Sequence, residues 1–136
     1  MARVSPILPA IAALFAAAPA QAHEWVDYFA YGEVGLSPRG YLIAREVAAW
    51  SKRPTVSCLR VVAHMDTMET HEFSTELSRR RAQAMSAELV LQGVDPAMIE
   101  MEALGATQLA RPTADRIPEQ LNRRVVVNVR PRACAR

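Results

Sequence analysis

Residues 58–91, with the sequence CLRVVAHMDTMETHEFSTELSRRRAQAMSAELVL, carry the pattern that decides the fold. Side chains alternate in the first seven residues, which predicts a β-strand from Cys58 to His64 with one buried face. That face comprises Leu59, Val61 and Ala63. After a polar loop, Met65 to Glu72, apolar residues recur three and four positions apart and predict a helix from about Phe73 to Leu91. The buried stripe of this helix comprises Ala82, Met85 and Leu89.

The remaining elements lie on either side of this segment. An aromatic stretch, Trp25 to Tyr31, predicts the first strand. Ser37-Pro38 is typical of a helix start, because serine can cap free N–H groups and proline is tolerated in the first turn; this helix should end near Trp50. Ile99 to Leu104 and Val125 to Val129 predict two more strands, joined by the long connection Gly105 to Gln120. The order βαβαβ-β predicts the α/β class, as an α+β two-layer sandwich with helices on one face of the sheet.

The first residues have the pattern of a secretory signal peptide. Arg3 is followed by the apolar run Ile7 to Ala18 and by the small-residue cleavage site Ala20-Gln21-Ala22. An uncleaved anchor is the alternative, but the run is shorter than the ~20 residues of a spanning helix. We therefore expect a signal peptide at residues 1–22 and one exported, periplasmic domain at residues 23–136, without stable membrane insertion.

Composition limits the function classes. The 136 residues suffice for one domain, and a net charge of +2 gives no basic excess that would favour nucleic acid. No serine lies in a nucleophile-elbow pattern, and no glycine-rich phosphate loop is present, so we expect neither an enzyme nor a cofactor. Cys58 and Cys134 are a candidate disulfide in an oxidising compartment, although sequence separation alone leaves two free thiols open.

An ordered set of motifs resembles the OmpA-like domain family, the peptidoglycan-binding type found in OmpA, Pal and MotB. Ala63-His64-Met65-Asp66 is similar to the family's Gly-His-Thr-Asp motif, and Leu77-Ser78-Arg79-Arg80-Arg81-Ala82 to its Leu-Ser-x-x-Arg-Ala motif. The separation of Asp66 and Arg81 is that of the family. Leu36-Ser37-Pro38 and Asn122-Arg123-Arg124-Val125 follow the family's order too. The resemblance covers about Tyr28 to Arg130.

The resemblance implies non-covalent binding of the peptidoglycan stem peptide through diaminopimelate. That side chain ends in an ammonium and a carboxylate on one carbon. By resemblance, Asp66 accepts from the ammonium and Arg81 binds the carboxylate, for which a planar guanidinium fork is suited. Asn122 and Arg124 also match family positions, and Ser74 stands where the family has an asparagine that lines the site; all three are candidate ligand-binding residues. The alternative for Asp66 and Arg81 is a structural ion pair, and for Asn122 and Arg124 a role in turn formation and solvation of the sheet edge.

Several positions depart from the family pattern. Ala63 replaces glycine, Met65 threonine, Glu69 the loop glycine and Ser74 asparagine. The change at Glu69 alters the loop if that position requires a positive φ, and the carboxylates of Glu69 and Glu72 oppose a ligand carboxylate. The chain could thus have kept the fold, lost the ligand and become a module that binds envelope proteins.

The resemblance also implies a mixed four-stranded sheet in the order first, fourth, second, third, with the last strand antiparallel to its neighbours. The start of the second strand then lies beside the end of the fourth. We therefore expect a disulfide between Cys58 and Cys134, which would stabilise the fold by about 2–4 kcal/mol.

A metal site is the alternative from another class. One group of candidate ligands lies within nine positions and comprises His64, Asp66, Glu69, His71 and Glu72. Cleavage would also make His23 the first residue, whose amine and imidazole could hold copper. The spacing matches no closed ligand set, and we expect no metal.

Overall fold

The computed structural model describes residues 23–135; the expected signal peptide lies outside them. The strands are β1 (Glu24–Tyr28), β2 (Cys58–His64), β3 (Ile99–Gly105) and β4 (Arg124–Arg130). The helices are α1 (Pro38–Ser51), α2 (Glu69–Glu72) and α3 (Glu76–Leu91), with short 3-10 turns at Pro96–Met98 and Gln120–Asn122. The sheet has the order β1-β4-β2-β3, in which β4 is antiparallel to β1 and β2, and β3 is parallel to β2. The predicted fold class, strand order and direction are confirmed.

The start of α1 is fixed by local hydrogen bonds and by a link to β1. The hydroxyl of Ser37 accepts from the backbone N–H of Gly40 at 3.1 Å, and Pro38 follows in the first turn. Ser37 also donates its hydroxyl and its N–H to the carboxylate of Asp27, which is buried on β1. The capping residue therefore attaches the helix to the sheet.

The core lies between the helices and one face of the sheet. Its fully buried members come from α1, α3 and the strands, and include Val47, Leu59, Val61, Met85, Leu89, Val125 and Val127. On α1, Ile43 and Val47 are buried, whereas Trp50 is half-buried and packs against the rings of His23 and Trp25. The core holds the ends of β2 and α3 in fixed positions.

Two predicted boundaries differ from the structure by three residues, whereas the limits of β3 and β4 differ by at most one. β1 ends at Tyr28, three residues earlier than predicted, because the chain turns at Gly32, which has a φ of +69°. The second long helix begins at Glu76 and not at Phe73, since Phe73 is extended, with φ −122° and ψ 153°. The segment predicted as a polar loop contains α2.

Cys58 and Cys134 form a disulfide with a Cα–Cα distance of 5.0 Å, as predicted. It fastens the segment after β4 to the start of β2. Among residues 23–135, none of the helices has the length and apolar composition needed to cross a bilayer.

Candidate functional site: a buried charge cluster

Asp66 and Arg81 lie in one cluster of four charged residues, together with Glu69 and Arg123. Asp66 follows the end of β2 by two residues, Glu69 begins α2 and Arg81 lies in the second turn of α3. The first three are fully buried, and the side chain of Arg123 is 12% exposed. We call these four residues the charge cluster. Its formal charge is zero, which reduces the cost of burying it.

Arg81 has an acceptor for each of its five N–H donors. Nη1 donates to Oε1 of Glu69 at 2.8 Å, and Nη2 donates to Oε2 at 2.6 Å, which makes the pair bidentate. The other three donors reach backbone carbonyls of Ala30, Glu33 and His64. Because a guanidinium has five N–H groups, its hydrogen-bonding capacity is filled.

The Glu69 carboxylate is held by four donors. In addition to the two from Arg81, Oε1 accepts from the N–H of Asp66 at 3.2 Å, and Oε2 accepts from the N–H of Gly32 at 2.9 Å. Gly32 has a positive φ, which favours glycine, and a Cβ there would lie 2.8 Å from Cζ of Phe73. We call these four donors the carboxylate cradle. Two backbone N–H groups and an arginine fork are a strong binding arrangement for a carboxylate.

Asp66 and Glu69 also form a reciprocal capping box. Oδ1 of Asp66 accepts from the N–H of Glu69 at 2.7 Å, while Glu69 accepts from the N–H of Asp66. An acidic cap followed by glutamate three residues later starts a helix in this way. Glu69 therefore lies within a right-handed helical turn, so the position does not need a positive φ in this chain.

The second oxygen of Asp66 faces the long connection and Arg123. Oδ2 accepts from Nη1 of Arg123 at 2.9 Å and from the N–H of Glu119 at 3.0 Å. Arg123 in turn donates to the carbonyl of Phe29. Arg123 was not among the predicted site residues, yet it is the cation that pairs with Asp66.

The model of the OmpA family matches residues 28–123, which is most of the chain. The chain belongs to the OmpA family. The predicted resemblance is thereby confirmed, and its extent agrees with the motifs from Tyr28 onwards.

Individual OmpA-family proteins are similar over the same region. A peptidoglycan-associated lipoprotein of Pseudomonas aeruginosa is 36% identical over 101 residues, 72% of this chain; the chain spans only 58% of that lipoprotein. The OmpA-like domain of FopA1 from Francisella tularensis superposes with a TM-score of 0.69 at 21% identity, covering 78% of this chain and 70% of that one. A peptidoglycan-associated lipoprotein from Burkholderia pseudomallei gives 0.68 at 23% identity, covering 77% and 89%. The two solved structures establish the fold.

The other predicted OmpA-family site residues do not join the charge cluster. Asn122 is fully buried and exchanges two hydrogen bonds of 2.8 Å with the backbone of Arg111, so it fastens the long connection. Ser74 is exposed before α3 and lines a cavity of about 270 Å³ beside Phe73. A ligand role for these two stays a prediction.

Arg124 lies on the sheet face opposite the helices. It lines a cavity of about 360 Å³ with His64, Arg60 and Tyr28, and donates to the carbonyl of Gln108. Burial and, to a smaller extent, the charges of Arg124 and Arg60 lower the pKa of His64 from 6.5 to about 4. Contact of Arg124 with a ligand held by Asp66 and Arg81 would require that ligand to reach around the sheet.

The candidate metal ligands of the sequence are engaged elsewhere. His71 pairs with Asp115 at 2.8 Å, His23 packs on Trp50, and the carboxylate of Glu69 is bound by the donors of the carboxylate cradle. Within residues 23–135 the one group with metal-ligand spacing is Cys58, Glu100 and Cys134, whose two sulfurs form the disulfide. Among these residues, the alternative ligand group from His64 to Glu72 is therefore not brought within ligand distance.

Proposed function

We propose that this chain binds peptidoglycan non-covalently in the bacterial cell envelope, without catalysing a reaction. The proposal depends on one observation: Asp66 and Arg81 lie in the same charge cluster and have the sequence separation that is typical of the family. A relative at 36% identity is named as peptidoglycan-associated, which supports the same ligand here. The expected signal peptide would deliver the chain to the periplasm, where peptidoglycan lies.

The ligand group is the zwitterionic end of diaminopimelate in the stem peptide. Its carboxylate would bind the fork of Arg81, which already holds a carboxylate in the structure. Its ammonium would donate to Asp66. Ser74, which is exposed between α2 and α3, would contact the rest of the peptide.

Co-sedimentation with insoluble peptidoglycan containing meso-diaminopimelate tests the proposal. Protein exported to the periplasm and purified from it would be mixed with the wall material and measured in the pellet. Arg81→Lys and Asp66→Asn should reduce pelleting at least tenfold, because each removes one half of the zwitterion contact. Arg79→Ala is the matched control, since Arg79 is exposed on the same helix and pairs with Glu76. Circular dichroism would verify that each variant is folded, and equal pelleting of all four proteins would refute the assignment.

One observation favours a second function, a module that binds envelope proteins. The site for the ligand carboxylate is filled by Glu69, as expected of a domain that has lost its ligand. Absence of pelleting by folded wild-type protein, together with specific capture of an envelope protein in a periplasmic crosslinking experiment, would favour this function.

A further inference from the structure

Glu69 occupies the place that the proposed ligand needs. We propose that Glu69 is an internal competitor of the peptidoglycan stem peptide: its carboxylate fills the carboxylate cradle, and the ligand binds only when Glu69 leaves. The inference rests on the proposed function and adds a regulatory contact to the same site.

The first argument is the filled capacity of Arg81. All five of its N–H groups have acceptors, and its side chain has no exposed area. A ligand carboxylate therefore cannot add to the cluster and must replace an acceptor. The bidentate Glu69 carboxylate is the acceptor with the same chemistry and geometry as the ligand group.

The second argument is the arrangement of the donors in the carboxylate cradle. It contains two donors that do not depend on Arg81, the N–H groups of Gly32 and Asp66. They lie on different segments of the chain and converge on the carboxylate. When Glu69 leaves, four donors remain that are directed at one carboxylate position, which is a preformed anion site.

The third argument concerns the segment that would move. Glu69 is on α2, which has only four residues, and the three residues that follow it in that helix are exposed. The extended Phe73 separates α2 from α3, so α2 can move without unwinding the long helix. His71 on α2 and the preceding Thr67 contact the long connection through side-chain hydrogen bonds at the surface, to Asp115, Ala114 and Ile117. Release of Glu69 breaks the four hydrogen bonds of the carboxylate cradle, and a ligand carboxylate would form them again.

Displacement has a measurable consequence for affinity. When only a fraction of the molecules has Glu69 released, the apparent dissociation constant is raised in inverse proportion to that fraction. Removing the carboxylate at position 69 should remove this penalty. We expect Glu69→Ala to bind diaminopimelate-type peptidoglycan at least tenfold more tightly than the wild type.

The test compares wild type, Glu69→Ala and Glu72→Ala as full chains exported to the periplasm. Glu72 is the matched control, because it lies on the same short helix and is exposed. Binding isotherms on peptidoglycan would be measured by co-sedimentation. Thermal unfolding would be followed with added acetate, with chloride at equal ionic strength as the reference, because a free carboxylate should fill the empty cradle. Acetate should raise the Tm of Glu69→Ala by several degrees and leave wild type and Glu72→Ala unchanged.

The outcomes separate the two proposals. Equal affinity of wild type and Glu69→Ala for the wall, without an acetate effect, would overturn the competitor role and leave the proposed function intact. No wall binding by any variant would overturn the proposed function, and the acetate effect would then show whether the cradle still accepts a carboxylate. Should Glu69→Ala fail to fold, Glu69→Gln keeps the side-chain size but places an NH2 group against donors, and the same gain in affinity is expected.

Discussion

Replacing Glu69 by alanine should destabilise the fold far more than the loss of a surface charge. The change leaves the Arg81 guanidinium fully buried without its counter-ion, and it leaves the N–H groups of Gly32 and Asp66 without acceptors. Removing one partner of a buried ion pair costs about 3–5 kcal/mol. For a domain of this size that corresponds to a decrease in Tm of about 12–20 °C.

A double-mutant cycle measures how much of this cost belongs to the pair. Arg81→Met, alone and combined with Glu69→Ala, completes the cycle, and urea unfolding followed by circular dichroism gives the free energies. In the double variant no charge of the pair remains buried, so its cost should be at least 2 kcal/mol smaller than the sum of the two single costs. Additive costs, or a loss of less than about 1 kcal/mol for Glu69→Ala, as for an exposed pair, would refute the description of the cluster as one buried unit.

Three further predictions concern other parts of the domain. The Cys58–Cys134 disulfide closes a loop with a sequence separation of 76, and its reduction should lower the free energy of unfolding by about 4 kcal/mol. Urea unfolding with and without reductant measures this difference, and coincident unfolding curves would contradict the prediction. The pKa of His64 is lowered from 6.5 to about 4 in the folded state, so the stability that this group contributes to the fold is complete above pH 6.5 and decreases as the pH falls towards 4. NMR titration of the His64 ring should show a midpoint well below 6, and a normal midpoint would contradict the burial. Asn122→Ala removes both hydrogen bonds to the backbone of Arg111 and should cost about 1–3 kcal/mol; amide exchange should accelerate in the long connection before β4, and unchanged exchange would contradict the fastening role.

The elements with strong periodicity could be predicted from sequence. The limits of β2, Cys58–His64, were predicted correctly from the alternation of Leu59, Val61 and Ala63, although in the structure every residue of this central strand except Arg60 is buried. Helix α1 was marked by its Ser37-Pro38 start. The end of β1 was misplaced because aromatic residues continue to Tyr31 while the hydrogen-bond pattern ends at Tyr28, and local composition does not show where pairing stops.

The candidate site was predicted less completely, for a physical reason. Asp66 and Arg81 come together as the motif spacing implied, but the partner of each was missed. Asp66-x-x-Glu69 is a capping-box signal, and it could have placed a helical turn and the Glu69 carboxylate at this position.

The choice between Arg123 and Arg124 depends on register. In and beside a strand, adjacent side chains point to opposite faces of the sheet. A shift of one residue would therefore turn a side chain from the face of the charge cluster to the face opposite the helices. Arg123 reaches Asp66, whereas Arg124 lies over the opposite cavity. Pairing with β1 and β2 fixes that register, and this pairing is a property of the tertiary structure.

The most direct test of the account uses two forms of one wall. Binding isotherms of the wild-type protein would be measured on peptidoglycan with a free diaminopimelate carboxylate and on the same material with that carboxylate amidated. The account predicts saturable binding to the first and at least tenfold weaker binding to the second, because an amide cannot replace Glu69 on the fork of Arg81. Equal affinity for both walls, or no binding to either by folded protein, would contradict it.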